Sequence, residues 1–144
     1  MSEETYVVAY EGDDRSVLDF AIARAKKIGA SLHIVHILQW SPYSFLTQEE
    51  LAERHKRRQE ELARAEAAIV KPAVAAARAA GIEAVTSDIR YGSVADLIAE
   101  IAKEKGATFI YVGRSGGGSI AARVFGSVPI ALAQISTVPV VIVP

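Results

Sequence analysis

Short apolar runs alternate with helical segments along the chain, and this alternation leaves few architectures open. Residues 6–10, 32–38, 84–89, 108–112 and 138–143 read as strands. Most of these runs are apolar throughout rather than at every second position, as in parallel strands covered on both faces. Helical spacing of apolar residues appears at 17–28, 94–103 and 130–135, with a long helical segment from Thr47 to Ala80. Gly29, Gly81 and Gly106 stand where three of these helices should end. Strand, helix and strand joined by short links form a parallel crossover. The expected fold is α/β: one domain over 1–144, an open five-stranded parallel sheet with helices on both faces, Rossmann-like. Thr86, Ser87 and Asp88 make the third strand polar enough for a sheet edge, and Pro139 suits the fifth strand to an edge as well.

Local signals refine the helices. Ser16 is a candidate N-cap for the first, and Thr47-Gln-Glu-Glu50 and Ser93-Val-Ala-Asp96 resemble capping boxes. Pro72 should kink or restart the long helix, because it lacks an N–H and crowds the preceding turn. Glu50/Arg54, Glu53/Arg57 and Glu60/Arg64 fall four apart, the spacing of a charge-laced, solvated face. The basic stretch 53–58 is therefore read as solvated helix and not as a nucleic-acid patch, in keeping with a net charge of −1. Cysteine is absent, which excludes disulfides, thiolate nucleophiles and Cys-ligated zinc. No apolar run approaches the ~18 residues of a membrane span, and the acidic start Met1-Ser-Glu-Glu-Thr5 is unlike a signal peptide. A cytoplasmic protein is expected.

The chemistry concentrates in Gly113-Arg-Ser-Gly116-Gly-Gly-Ser-Ile-Ala-Ala-Arg-Val-Phe-Gly126-Ser127, which follows an apolar strand and precedes a helix. Glycines let the backbone approach an anion, and the free N–H groups of a helix start face it. Arg114 and Arg123 are the cations at hand, since no lysine occurs after Lys105. There is no Gly-Lys-Ser/Thr, so this is not a Walker A loop, and the Asp of an ATP-pyrophosphatase loop is missing.

The glycine spacing, two residues and then nine before Gly126-Ser127, resembles the ATP-binding signature of the universal stress protein family. The resemblance covers essentially the whole chain and implies the strand order 3-2-1-4-5, with a reversal between strands one and four. Ligands in such sheets bind at the carboxyl ends of strands beside the reversal, here Glu11 and Gly113. Val8-Ala-Tyr-Glu-Gly12 looks like the family's first strand and turn, with Glu11 in place of the usual Asp at the adenine and ribose end. Ile37 matches the position whose backbone meets adenine. Val112 would line the ribose or adenine wall. The backbone of Gly113, Gly116, Gly126, Ser127 and Val128 would hold phosphates, with Arg114 as a charge partner. The implied ligand is ATP, or AMP or cAMP in its place, with Mg²⁺ or Mn²⁺ arriving on the triphosphate. The family's last strand pairs with a second subunit, so a homodimer through Val138 to Val143 is expected, with a protein partner of unknown identity. The stretch from Gln39 to Thr47, holding Trp40, Tyr43 and Phe45, is either a lid or partner surface, or core under a loop.

A catalytic group is harder to name. His33 and His36 lie three apart in a strand and face opposite sides of the sheet, so they cannot share a metal. Asp13 and Asp14 are better read as an acidic turn than as metal ligands. No Ser/His/Asp set or His-Glu-x-x-His occurs. The expected function is a nucleotide-dependent dimeric regulator in stress response, with at most weak hydrolysis; a slow ATP hydrolase and an AMP or cAMP sensor or scaffold are the alternatives. Gly116→Val and Gly126→Val are each expected to abolish nucleotide binding in a calorimetric titration while the ligand-free melting curve stays near wild type. Unfolding of either variant would show that these glycines serve the fold first.

Overall fold

The computed structural model describes residues 4–39, 47–114 and 127–144. In chain order they form β1 (Thr5–Ala9), α1 (Ser16–Ile28), β2 (Ser31–Gln39), α2 (Gln48–Ala65), a π-helical turn (Glu66–Val70), α3 (Lys71–Ala79), β3 (Val85–Gly92), α4 (Val94–Glu104), β4 (Phe109–Gly113), α5 (Ser127–Ile135) and β5 (Val140–Val143). The five strands make one sheet in the order β3-β2-β1-β4-β5, parallel at every pairing. The order is the one the family resemblance implies, and the polar β3 does lie at an edge.

Strand alternation divides the core in two. Tyr6, Val8, Leu32, Ile34 and Tyr111 point to one face, where Leu18, Ala21 and Ala25 of α1 and Ala73 and Ala77 of α3 cover them. Val7, Val35, Ile110 and Val112 point to the other, under Ile98 and Ile101 of α4 and Leu132 of α5. Both faces are thus dry, which is why the strands read as continuous apolar runs. His33 and His36 do fall on opposite faces, and both are buried.

Three local expectations shift. Ser16 begins α1 rather than capping it, because its own N–H is taken by Asp14 Oδ1 at 2.9 Å. Ser93 is an N-cap by backbone only, its carbonyl accepting from Leu97 N–H, with no side-chain bond. β5 starts at Val140 rather than Val138, since Ser136 Oγ accepts from Val138 N–H and donates to Val138 O, curling that residue into a turn. Thr47 does cap α2, accepting from Glu50 N–H at 3.1 Å.

The long helix does restart at Pro72, which stands in the first turn of α3. One π turn separates α3 from α2 immediately before it. Pro72 cannot donate to Ala68 O and would crowd it. The wider turn relieves this: Lys71 N–H reaches five residues back to Glu66 O. α2 beyond this turn is largely exposed. Tyr91 of β3 anchors it: the hydroxyl lies 2.9 Å from Glu61 Oε2 and 3.0 Å from Arg58 O, and the Arg58 guanidinium sits over the ring at 5.3 Å. Burial and the Glu61 carboxylate push the Tyr91 hydroxyl up to about 12. Of the i,i+4 pairs expected on α2, Glu53–Arg57 forms at 3.9 Å on an exposed face, where such pairs add only a few tenths of a kcal/mol.

The π turn also meets the β1–α1 turn. Gly12 has φ +94°, and a Cβ there would stand 2.9 Å from Ile69 Cγ1. Gly12→Ala is expected to lower stability by ~1–3 kcal/mol, combining backbone strain with the clash, as read by urea unfolding. Gly106 (φ +61°) has nothing among the described residues within 4 Å of the same Cβ, so Gly106→Ala should lose only the ~1–2 kcal/mol of a left-handed residue.

His33 generates a second expectation. It is 2% exposed, its Nδ1 lies 2.6 Å from Thr86 Oγ1, and its Nε2 has no partner among the described residues. Burial first, then nearby Lys105, holds its pKa below the ordinary 6.5. Below that ordinary value the unfolded chain takes up a proton that the folded chain refuses, so stability falls as pH falls and is fully present above it. Urea unfolding at pH 7.5 and 5.5 should show a smaller pH difference in His33→Gln than in wild type, by up to ~1.4 kcal/mol per pH unit. Equal differences would place the imidazole's proton uptake elsewhere.

Candidate functional site

The central strand is shorter than its neighbours. β1 pairs with β2 as far as Ala9–Val35 and with β4 as far as Val8–Tyr111. β2 continues to Gln39 and β4 to Gly113. A crevice opens over the end of β1, walled by the free inner edges of the two longer strands.

Backbone geometry tells which groups face it. Tyr10 N–H donates to Val35 O at 2.9 Å, so Val35 directs its amide groups toward β1. Ile37, two residues on, directs its groups the same way, past the end of the β1 ladder. On the other wall Arg114 N–H donates to Val143 O at 2.8 Å, toward β5, and Gly113 therefore turns its amide groups toward β1. Two strand-end amides thus flank the gap, and the β1–α1 turn closes one end of it.

Side chains finish the site. Val35, Ile98 and Val112 form an apolar floor continuous with the core beneath α4 and α5. Ile37 and Val94 are half-buried along one wall, and Val128 of α5 lines the crevice too. Glu11, Asp13 and Asp14 bring three exposed carboxylates from the β1–α1 turn, and Arg114 brings a guanidinium. The Ser16 backbone N–H, then its hydroxyl, hold the Asp14 carboxyl below the usual carboxylate range. Asp14 is therefore engaged in its turn, as the acidic-turn reading expects. Among the described residues no cluster of three potential metal ligands forms.

Of the residues singled out in the sequence, Glu11, Ile37, Val112, Gly113, Arg114 and Val128 come together around this one crevice. Ser127 lines an adjoining hollow with Gln39, Gly92 and Ser93, and Val94 and Val128 border both spaces. Gly116, Gly126 and Arg123 lie outside the described residues, as do Trp40, Tyr43 and Phe45. Sequence reasoning passed over Tyr10, Val94 and Ile98, which also line the site. Tyr10 had a signal, since it directly precedes the turn residue Glu11. Val94 and Ile98 carry only the periodicity of a core helix.

The crevice has an apolar floor, amides on two sides and mixed charge at the rim. Such a place suits a flat heterocycle bearing a polar tail. None of the three histidines is among its lining residues, and His55 sits on exposed α2 with its Nε2 3.2 Å from Gln59 Nε2.

Comparison with known proteins agrees with this architecture. The model of the universal stress protein family matches residues 5–144. No curated relative matches the chain. Universal stress protein UspA from Lactobacillus plantarum superposes with a TM-score of 0.85 at 18% identity, over 100% of this chain and 99% of that one. A universal stress protein in complex with cAMP gives 0.69 at 28% identity, covering 98% and 96%. The universal stress protein from Archaeoglobus fulgidus in complex with dAMP gives 0.67 at 23%, covering both chains fully. No described helix is long and apolar enough to cross a membrane. The family match runs from the first strand to the last residue, over a sheet in the order 3-2-1-4-5, and this chain belongs to the universal stress protein family.

Proposed function

We propose that residues 1–144 act as one adenine-nucleotide-binding unit, a cytoplasmic stress-response regulator whose occupancy alters the contacts of a homodimer. The observation that carries this reading is the gathering of Glu11, Ile37, Val112, Gly113, Arg114 and Val128 around the gap over β1. Adenine lies against Val112 and the backbone of Ile37, and Glu11 reaches the ribose. The phosphates run toward Gly113, Gly116, Gly126, Ser127 and Val128, where backbone N–H groups and a helix start receive them. Arg114 balances charge.

The described rim holds three carboxylates against one guanidinium, so a bare triphosphate meets net repulsion there. A divalent cation arriving on the phosphates offsets it, and Mg²⁺ or Mn²⁺ is well suited because it prefers phosphate and water ligands. Among the described residues no histidine lines the crevice, and any hydrolysis is expected to be slow.

A cyclic nucleotide is the second reading. It carries a single negative charge, and a relative 28% identical to this chain is a complex with cAMP. The dimer reading rests on β5, a sheet edge with Ile142 47% exposed. An apolar edge of this kind invites pairing with a second copy.

Titration with ATP, AMP and cAMP, each with and without MgCl₂, separates the readings. ATP is expected to bind with Mg²⁺ and to weaken at least ~10-fold without it, a change of ~1.4 kcal/mol. AMP binding as tightly as ATP would count against a triphosphate site, and cAMP binding tightest would favour the sensor. Sedimentation velocity is expected to give a dimer, and Ile142→Lys a monomer. No binding of any of the three would end the nucleotide reading.

A further inference from the structure

His36 is buried, polar and outside the lining of the crevice, yet its neighbours on either side, Val35 and Ile37, both line it. The imidazole faces the α1/α3 side of the sheet. Its Nδ1 stands 2.8 Å from Tyr10 O. A carbonyl oxygen only accepts, so Nδ1 carries the hydrogen.

Tyr10 is the last residue before Glu11, and it sits just past the end of the β1–β2 register. Its N–H already donates to Val35 O. In a regular parallel ladder its carbonyl would next accept from Ile37 N–H. The register stops at Ala9–Val35, and the side chain of His36 supplies a donor to that carbonyl instead.

We propose that His36 is a positioning residue for the nucleotide site. By holding the Tyr10 carbonyl it ends the β1 ladder one step early, sets the departure of the Glu11 turn, and leaves the Ile37 amide facing the crevice. This rests on the nucleotide reading above for its ligand, but the backbone arrangement it describes exists without one. The role divides into two parts. One is the satisfied Tyr10 carbonyl, which a buried acceptor needs in any case. The other is the availability of Ile37 N–H, which a ladder bond to Tyr10 would remove.

The test compares wild type with His36→Asn and His36→Leu. Asn presents an N–H at the same branch point as the imidazole Nδ1, and Leu presents none. Amide hydrogen exchange by NMR on ligand-free protein reads the backbone directly. The Ile37 amide is expected to exchange quickly in wild type and His36→Asn, and to become protected in His36→Leu as the ladder closes onto Tyr10 O. Calorimetry with ATP, AMP, cAMP and adenosine reads the consequence. Affinity in His36→Leu should fall about tenfold, the worth of one well-made hydrogen bond, and by the same factor for adenosine as for ATP, because the defect lies at the adenine end. His36→Asn should stay within about threefold of wild type, allowing for the usual scatter in a single contact. A purely structural histidine would lower the melting temperature of His36→Leu but leave the Ile37 amide exchange and the ligand affinities unchanged, and that pattern overturns the proposal. If His36→Leu does not fold, His36→Gln carries the same comparison, since its donor lies one bond too far out. If wild type binds none of the four ligands, the nucleotide reading fails. The exchange result alone then decides whether His36 holds the ladder open.

Discussion

The structure depends on a strand that stops early. β1 is the centre of the sheet, bonded on both sides and buried on both faces, yet its pairing ends while β2 and β4 carry on. A central strand that ends short leaves unpaired amides on two neighbours at once. In a dry interior such groups are costly; at the open end of a sheet they become a binding surface. The position of the crevice, its amide-lined walls and its apolar floor all follow from this one mismatch in length. The Gly12 turn matters for the same reason, because the chain must leave β1 sharply, and only a residue without a side chain fits beside Ile69.

The two helical layers have different tasks around this gap. α4 and α5 close the face beneath the crevice, and Ile98 and Val128 belong to both the packing and the site. α1 and α3 bury the opposite face, where Tyr6, Phe20, Phe109 and Tyr111 form a ring-to-ring cluster with centroids 5.0–6.4 Å apart. Offset and edge contacts of this kind add specificity beyond buried area. The half of the molecule away from the site is thus stiffened by aromatic packing, while the site is framed by branched aliphatic side chains and backbone.

Much of this was legible in the sequence. The five strands, the polarity of β3 and the Pro139 edge all followed from composition at short range, because a parallel sheet covered on both faces leaves a plain apolar signature. Six of the nine expected site residues line the crevice; Gly113 and Arg114 belong to the glycine turn and Glu11 to the turn after the first strand, whereas Ile37 came only from the family resemblance. The departures are instructive. Ser16 and Asp14 both cap in principle, and which oxygen wins depends on the backbone path out of Gly12. The π turn before Pro72 is one of several ways to relieve the same clash, and in it Val70 is buried and Ile69 packs against the core. The role of His36 left no mark in the sequence beyond its facing the opposite side from His33, because the carbonyl it meets is distant in the chain and near only once β1 and β2 lie side by side.

The π turn reaches further than the proline it accommodates. One residue more in that turn swings everything on its far side about the helix axis by ~100° relative to an uninterrupted α-helix. The outer helix therefore owes its azimuth to this wider turn, and that azimuth is the one at which Arg58 and Glu61 meet Tyr91. Removing a single residue between 66 and 70 would turn a different side of this arm to its surroundings, and would also shift Ile69 where it packs beside Gly12. Surface diversity could arise here by length change alone, with no exchange of side chains.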